Sequence, residues 1–250
     1  MQQEYIYNTI LKKTKAKKKQ LAVLLDPDFS TSKSLLKIIQ LANDYEIDYF
    51  FIGGSLLTGG DLDKTISFVK NNSAIPVILF PGHYSQINAK ADGILLLSLV
   101  SSRNAELLIG QHVIAAPYLK QSQLEILSTA YLLIDGGKIT TASYISNSMP
   151  IPNDKADIAT STAMAGEMLG MSLTYLDAGS GATHPVSAEM IQKVKENTTN
   201  PLIVGGGITS VKKATEALSA GADIAVIGNA FEKNPQLLVD IAKAVDKLND

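Results

Sequence analysis

The chain has 250 residues, 46% of them apolar and 18% charged, no cysteine, and a formal net charge of −2. It is long enough to bury a substantial core in one barrel-sized domain or two small ones, and its near-neutral balance argues against a nucleic-acid partner held by a global positive field. The missing cysteines exclude disulfides and thiolate chemistry. No apolar run outlasts a β-strand, far short of the ~20 residues of a membrane helix, and the N-terminus lacks an apolar signal core, so a cytoplasmic protein is expected.

In chain order, apolar runs read as strands at Leu21–Leu25, Tyr49–Ile52, Pro76–Phe80, Gly93–Leu97, Tyr131–Ile134, Leu173–Leu176, Leu202–Val204 and Ile224–Ile227. Most are nearly continuous, as parallel strands covered on both faces should be. Helical patterns fall at Ser34–Asp44, Leu62–Asn71, Asp154–Leu169, Ala188–Asn197, Val211–Ala220 and Pro235–Leu248. Candidate N-caps are Ser30 or Ser32, Asp61, Ser187, and Thr209 or Ser210. The connection after the third strand is poor in helix signal. The stretch from Ile139 to Asn153 reads as a long βα loop, and the lysine run Lys12–Lys19 as a solvated face. Eight strands alternating with helices predict an α/β fold, a (β/α)8 barrel in a single domain over residues 1–250. An open doubly wound sheet is disfavoured: no G-x-G-x-x-G follows the first strand, and polar residues recur at many strand ends.

Active sites of such barrels lie at the carboxyl ends of the strands. There stand Asp26-Pro27-Asp28, Gly53-Gly54-Ser55, Pro81-Gly82-His83, Asp135-Gly136-Gly137, the run from Tyr175 to Ala182, Gly205-Gly206-Gly207 and Gly228-Asn229. Glycines ending strands seven and eight, before a helix start, suit a phosphate cradle; tight turns are the plainer reading. Asp26 ends an apolar strand, where a carboxylate is costly unless paired or bound to a metal. Asp26 with the Ser55 hydroxyl fits the sparse oxygen set that Mg²⁺ accepts, while Asp-Pro-Asp is also good turn chemistry. Asp28 reads as the local turn residue. Tyr175 and Asp177 share strand parity, as do Leu24 and Asp26. Asp177 suits a general base or a ligand for a substrate hydroxyl; a carboxylate satisfied by the Gly179–Gly181 turn is the alternative. Asp135 invites a similar pair of readings. His83, His112 and His184 lack metal-ligand spacing and read as structural or solvated.

Leu25-Asp26-Pro27-Asp28, Gly53-Gly54-Ser55, Tyr175-Leu176-Asp177-Ala178-Gly179-Ser180-Gly181-Ala182, Val204-Gly205-Gly206-Gly207-Ile208 and Gly228-Asn229 together resemble the geranylgeranylglyceryl phosphate synthase family of TIM-barrel prenyltransferases, in its larger archaeal-type branch. The resemblance implies that the hydroxyl of sn-glycerol 1-phosphate attacks C1 of a prenyl diphosphate, with geranylgeranyl the expected chain, and that pyrophosphate leaves. Asp26 and Ser55 match the family's magnesium positions. Tyr175, Leu176, Asp177, Ala178, Gly179, Ser180, Gly181, Gly206, Gly207, Gly228 and Asn229 match its glycerol phosphate positions. Tyr175 and Asp177 would orient or deprotonate the hydroxyl. The family commonly has glutamate where Asp177 stands, one methylene longer, and some relatives carry a lysine near Asp26 that is missing here. A homo-oligomer and a passing contact with a membrane surface are further expectations. Leu95, Leu97 and Leu99 could be barrel core or the lining of a prenyl trough. Two other readings are an isomerase or cyclase using Asp26 and Asp135 as acid and base, and a non-catalytic phosphate- or lipid-binding barrel.

Overall fold

The computed structural model describes residues 5–28, 32–228 and 230–250. Eight parallel strands pair in sequence order and β8 returns to β1, closing the barrel: β1 Gln20–Leu25, β2 Tyr49–Ile52, β3 Val77–Leu79, β4 Gly93–Leu99, β5 Glu125–Leu133, β6 Leu173–Asp177, β7 Leu202–Gly205 and β8 Ile224–Ile227. The predicted strands are all present. β5 begins six residues before the expected Tyr131, because Ser128 and Thr129 interrupt its apolar pattern.

Strand alternation builds two cores. Inward residues such as Ala22, Tyr49, Phe51, Ile78, Leu127, Tyr175 and Val226 fill the barrel. Their neighbours Val23, Phe50, Ile52, Leu176 and Ala225 face the helical layer. Each fully buried Leu, Ile or Phe contributes about 1.5–3 kcal/mol, so the closed sheet is stabilised from both faces.

The outer layer contains α1 Ile6–Lys15, α2 Ser32–Asp44, α3 Leu62–Asn72, α4 Gln111–Ser122, α5 Thr141–Ser146, α6 Ala156–Met168, α7 Ala188–Asn197, α8 Val211–Ser219, α9 Ala230–Lys233 and α10 Gln236–Asn249. Asp61, Ser187 and Ser210 cap α3, α7 and α8 through the backbone N–H groups of Lys64, Met190 and Lys213. Ser30 lies outside the described residues. Four helices depart from the sequence reading. In α1, Lys12, Lys13 and Lys15 do lie in the last turn, but Ile6 and Ile10 are buried with the barrel-interior residues. The Glu125 carboxylate anchors its start, accepting from the Ile6 and Tyr7 N–H groups at 2.6 and 2.8 Å. The α4 helix follows a wide turn over Glu106–Gly110. Pro117 inside it, and exposed Ile109, Val113, Ile114 and Tyr118, erase the polar–apolar periodicity that would have announced it. The supposed loop Ile139–Asn153 holds α5, started by a capping box between Thr140 and Ser143. Short α9, at Ala230–Lys233, had no pattern long enough to read. As expected, the β3–β4 connection has only one short turn, Tyr84–Gln86. The helical layer is therefore thin beside β3 and β4.

Candidate active site

The parity argument holds. Leu24 packs with the barrel-interior residues, and Asp26, two residues on, lines a cavity of about 730 Å³ at the carboxyl end of the barrel. Asp26 is half-buried, and burial raises its carboxyl above the ordinary range. Its Oδ1 accepts the Asp28 N–H at 3.0 Å. Asp28, expected to be a local turn residue, instead reaches a distant loop: its carboxylate accepts from Thr58 N and Oγ1 and from Gly59 and Gly60 N–H, at 2.6–3.3 Å. These donors, Thr58 N–H foremost, pull it down to about 2. They also tie the β2–α3 loop to the end of β1. Gln86 fixes the same loop from the other side, donating to the Gly54 carbonyl at 3.0 Å and accepting from Gly82 N–H at 3.2 Å.

Gly54 and Ser55, positioned this way, line the cavity with Asp26. A side chain on Gly54 would place its Cβ 3.4 Å from Asp26 Oδ2, so glycine keeps the space beside the carboxylate clear. Among the described residues no three His, Asp or Glu groups converge on one point. The donors here are one carboxylate and one hydroxyl, all hard oxygens. They fit Mg²⁺, which keeps several waters and takes its remaining ligands from substrate phosphates.

Across the mouth, Asp177 is buried beneath the same cavity. Burial raises its carboxyl, opposed by two donors: Tyr131 Oη to Oδ2 and Gly179 N–H to Oδ1, both at 2.7 Å. Tyr131 escaped the sequence reading. It faces Tyr175 across the β5–β6 pair, as Leu133 faces Asp177. Its place two residues before an inward Leu133 is the signal that could have found it. Phe80, Tyr131 and Tyr175 form an aromatic floor with ring centroids 5.3–6.0 Å apart.

The glycines close the third side. A Cβ on Gly205 would lie 2.5 Å from Tyr175 Oη, so only glycine lets that ring reach the strand end. Gly206, at φ +81°, would meet Gly179 N at 2.5 Å and Asp177 Oδ1 at 2.7 Å. The β6 and β7 loops thus touch backbone to backbone. Gly206, Gly207 and Gly228 line the cavity with Ser180 and Gly181. Beside them, Lys213 Nζ donates to the Gly207 carbonyl and Thr209 Oγ1 at 3.1 and 3.2 Å. Leu176 and Ala178, of opposite parity to Tyr175 and Asp177, belong to the outer core, and neither they nor Gly179 line the cavity. Asn229 lies outside the described residues.

The cavity does not end at the polar mouth. Leu95, Leu97 and Leu99 line it from the inner face of β4, Ile94 and Leu96 from the outer face, and Ile87, Ala115 and Leu119 beyond them. It therefore passes over β4 into the thin part of the helical layer. The leucines are core and lining at once.

Asp135 does not line this cavity; its Oδ1 accepts the Gly137 N–H at 2.9 Å in a local turn. An acid pair of Asp26 and Asp135 is therefore not assembled. His83 caps the turn after β3 through Ser85 N–H, and the His184 ring lies against Gly137. His112 Nε2 lies 3.1 Å from Ser98 Oγ, and burial pulls its imidazole below the ordinary value. No described helix is long and apolar enough to cross a membrane.

Residues 13–246 match the model of the PcrB family. The chain is 54% identical over 232 residues to geranylgeranylglyceryl phosphate synthase of Spirosoma linguale, covering 93% of each chain. It is 38% identical over 234 residues to the synthase of Korarchaeum cryptofilum, covering 94% of this chain and 96% of that one. Among solved structures, (S)-3-O-geranylgeranylglyceryl phosphate synthase from Thermoplasma acidophilum, in complex with substrate sn-glycerol-1-phosphate, superposes with a TM-score of 0.91 at 31% identity, over 98% of this chain and 100% of that one. An orotidine 5'-phosphate decarboxylase from Pyrococcus horikoshii, 15% identical with a TM-score of 0.59, shares the fold alone.

Proposed function

From the premise that this chain belongs to the PcrB family, we propose the reaction its site performs: alkylation of sn-glycerol 1-phosphate by a prenyl diphosphate in ether-lipid synthesis. The observation that carries it is a single cavity with Asp26 on one side of its mouth, Asp177 and the glycine turns on the other, and an apolar passage over β4.

The glycine turns of β6, β7 and β8 offer backbone N–H groups that bind and orient the glycerol phosphate. Asp177 accepts the hydroxyl proton. Its raised pKa suits a base better than an ordinary carboxylate would, and Tyr131 holds it in place. The hydroxyl oxygen bonds to C1 of the prenyl group as the bond from C1 to the diphosphate oxygen breaks, and diphosphate leaves with the electron pair. Asp26 and Ser55 would hold Mg²⁺, which when bound neutralises charge on the leaving diphosphate. The leucines of β4, with Ala115 and Leu119, take the prenyl tail away from water. Asp177 reaches less far than glutamate would, and the approach of the Gly205–Gly207 turn, allowed only by glycine, brings the cradle toward it.

The test is incubation with sn-glycerol 1-phosphate and labelled prenyl diphosphates of several lengths, with and without Mg²⁺. The expected product is the prenyl ether of glycerol phosphate, formed only with the metal. Hydrolysis of the diphosphate without ether formation, or no reaction with any chain length, refutes the proposal.

A further inference from the structure

The cavity must bring two phosphorylated substrates together, yet its described wall contains Asp26, Asp28 and Asp177 and no lysine or arginine. A phosphate monoester alone brings a charge of about −1.5 to −2 at neutral pH. One divalent ion beside Asp26 leaves most of the negative charge at the glycine turns uncompensated, since neutral backbone N–H groups carry only partial charge. A cation is needed at the rim of the cradle, and two lysines stand there among the described residues. Lys213 is committed to the Gly207 carbonyl and Thr209 Oγ1. Lys138 is exposed, and its Nζ lies 3.3 Å from the point where a Cβ on Gly181 would be. Gly181 and Ser180 line the cavity. Among the described residues, Lys138 Nζ has neither a hydrogen-bond nor an ion-pair partner, so its donors are turned over the β6 turn uncommitted.

The backbone delivers it there. The Gly136 carbonyl accepts Thr183 and His184 N–H at 2.8 and 3.0 Å, stitching the β5 loop onto the β6 loop, and Asp135 Oδ1 holds Gly137 N–H. Asp135, read from the sequence as a candidate acid, thus shapes the turn that presents Lys138.

Resting on the proposed reaction, we propose that Lys138 is a substrate-binding residue whose ammonium group closes over the phosphate of sn-glycerol 1-phosphate. It supplies from β5 the positive charge that the first strand lacks. It touches neither the prenyl diphosphate nor the reacting hydroxyl.

The experiment is steady-state kinetics of wild type, Lys138→Met and Lys138→Arg, each substrate varied at saturation of the other, at low and high salt. Lys120→Met, an exposed lysine on α4, is the control. In Lys138→Met the KM for sn-glycerol 1-phosphate is expected to rise about tenfold, as for loss of one charge-assisted hydrogen bond partly exposed to water. Both kcat and the KM for prenyl diphosphate stay within about twofold, a differential loss that a misfolded cradle would not give. Lys138→Arg recovers most of the affinity, and the KM of Lys138→Met loses much of its salt dependence. A wild type that turns over glycerol phosphate beside a Lys138→Met variant of unchanged KM overturns this inference alone. So does a loss shared equally by kcat and both KM values. A wild type that neither binds nor turns over glycerol phosphate overturns the proposed reaction as well.

Discussion

Replacing Tyr131 by phenylalanine removes one oxygen and leaves the ring. The aromatic floor with Phe80 and Tyr175 is kept, and what is lost is the 2.7 Å hydrogen bond into the buried carboxylate of Asp177. A hydrogen bond to a charged group contributes about 1.5–3 kcal/mol, a factor of roughly 10 to 150 in an equilibrium constant. The bond stabilises the ionised carboxylate, so its loss raises the proton affinity of Asp177 by about that factor, on top of the burial that already raises it. If Asp177 must be ionised to accept the hydroxyl proton, the acidic limb of the kcat/KM profile moves to higher pH. The variant approaches wild-type turnover in alkaline buffer and falls behind by about 10- to 150-fold below the limb. Folding stability obeys the same linkage. A carboxyl raised in the folded state costs nothing below its unfolded value, penalises the fold increasingly as pH climbs from the unfolded value to the folded one, and costs the full amount above both. The variant should therefore melt lower than wild type at pH 8, by about 3–10 °C, with a smaller gap at pH 4. The assay is kcat/KM for sn-glycerol 1-phosphate against pH, beside thermal melts in the same buffers. An acidic limb that does not move, or a loss of turnover equal at every pH, refutes the assignment of Asp177 as the base.

Asp26→Asn should lower turnover by about 100-fold or more at any Mg²⁺ concentration, through loss of charge compensation at the leaving diphosphate. Because burial raises Asp26, the fold is penalised for its charge at pH 7, so this variant should melt no lower than wild type; initial rates under Mg²⁺ titration and a thermal melt check both. Gly206→Ala forces a side chain into a positive-φ position against Gly179 N and Asp177 Oδ1, and calorimetry should show stability lower by roughly 2–4 kcal/mol. Asp28 is held at about 2, below its unfolded value, so its contribution is present above pH 4 and lost as pH falls toward 2. Asp28→Asn should be less stable than wild type at pH 7 and converge with it near pH 2, read as denaturant midpoints.

Where strand alternation alone decides placement, the chain was readable. Two covered faces make β2 and β8 unbroken apolar runs, and period two carries Leu24 to Asp26 and Tyr175 to Asp177 on the inner side. The same rule, applied strictly, takes Leu176 and Ala178 out of the cavity, although they sit inside the most family-specific motif. What stayed hidden depends on contacts between distant loops. Tyr131 acts on Asp177 from 46 residues away, and Asp28 finds its partners 30–32 residues downstream. Gln86 joins two strand ends from a turn too short to show any period. No local pattern contains these pairings, because each is made only when the barrel closes.

The β3–β4 connection shows how a weak local signal becomes a functional one. A barrel strand normally hides its outer face under the next helix, and a missing helix there by itself costs stability. In this fold the single turn Tyr84–Gln86 leaves β4 thinly covered, and the cavity passes over that strand toward Ile87, Ala115 and Leu119. The apolar surface left uncovered is then the surface a prenyl chain can bury, at about 25 cal/mol per Å² of apolar area removed from water. Leu96 should feel this directly. Leu96→Asp puts a charge on the apolar passage while leaving Asp26, Asp177 and the glycine turns untouched. The KM for geranylgeranyl diphosphate should rise by about 10-fold or more, as for any charge facing a buried hydrocarbon, with a smaller rise for a short allylic diphosphate and none for sn-glycerol 1-phosphate. Equal effects on the short and long chains would mean that the tail does not follow the passage over β4.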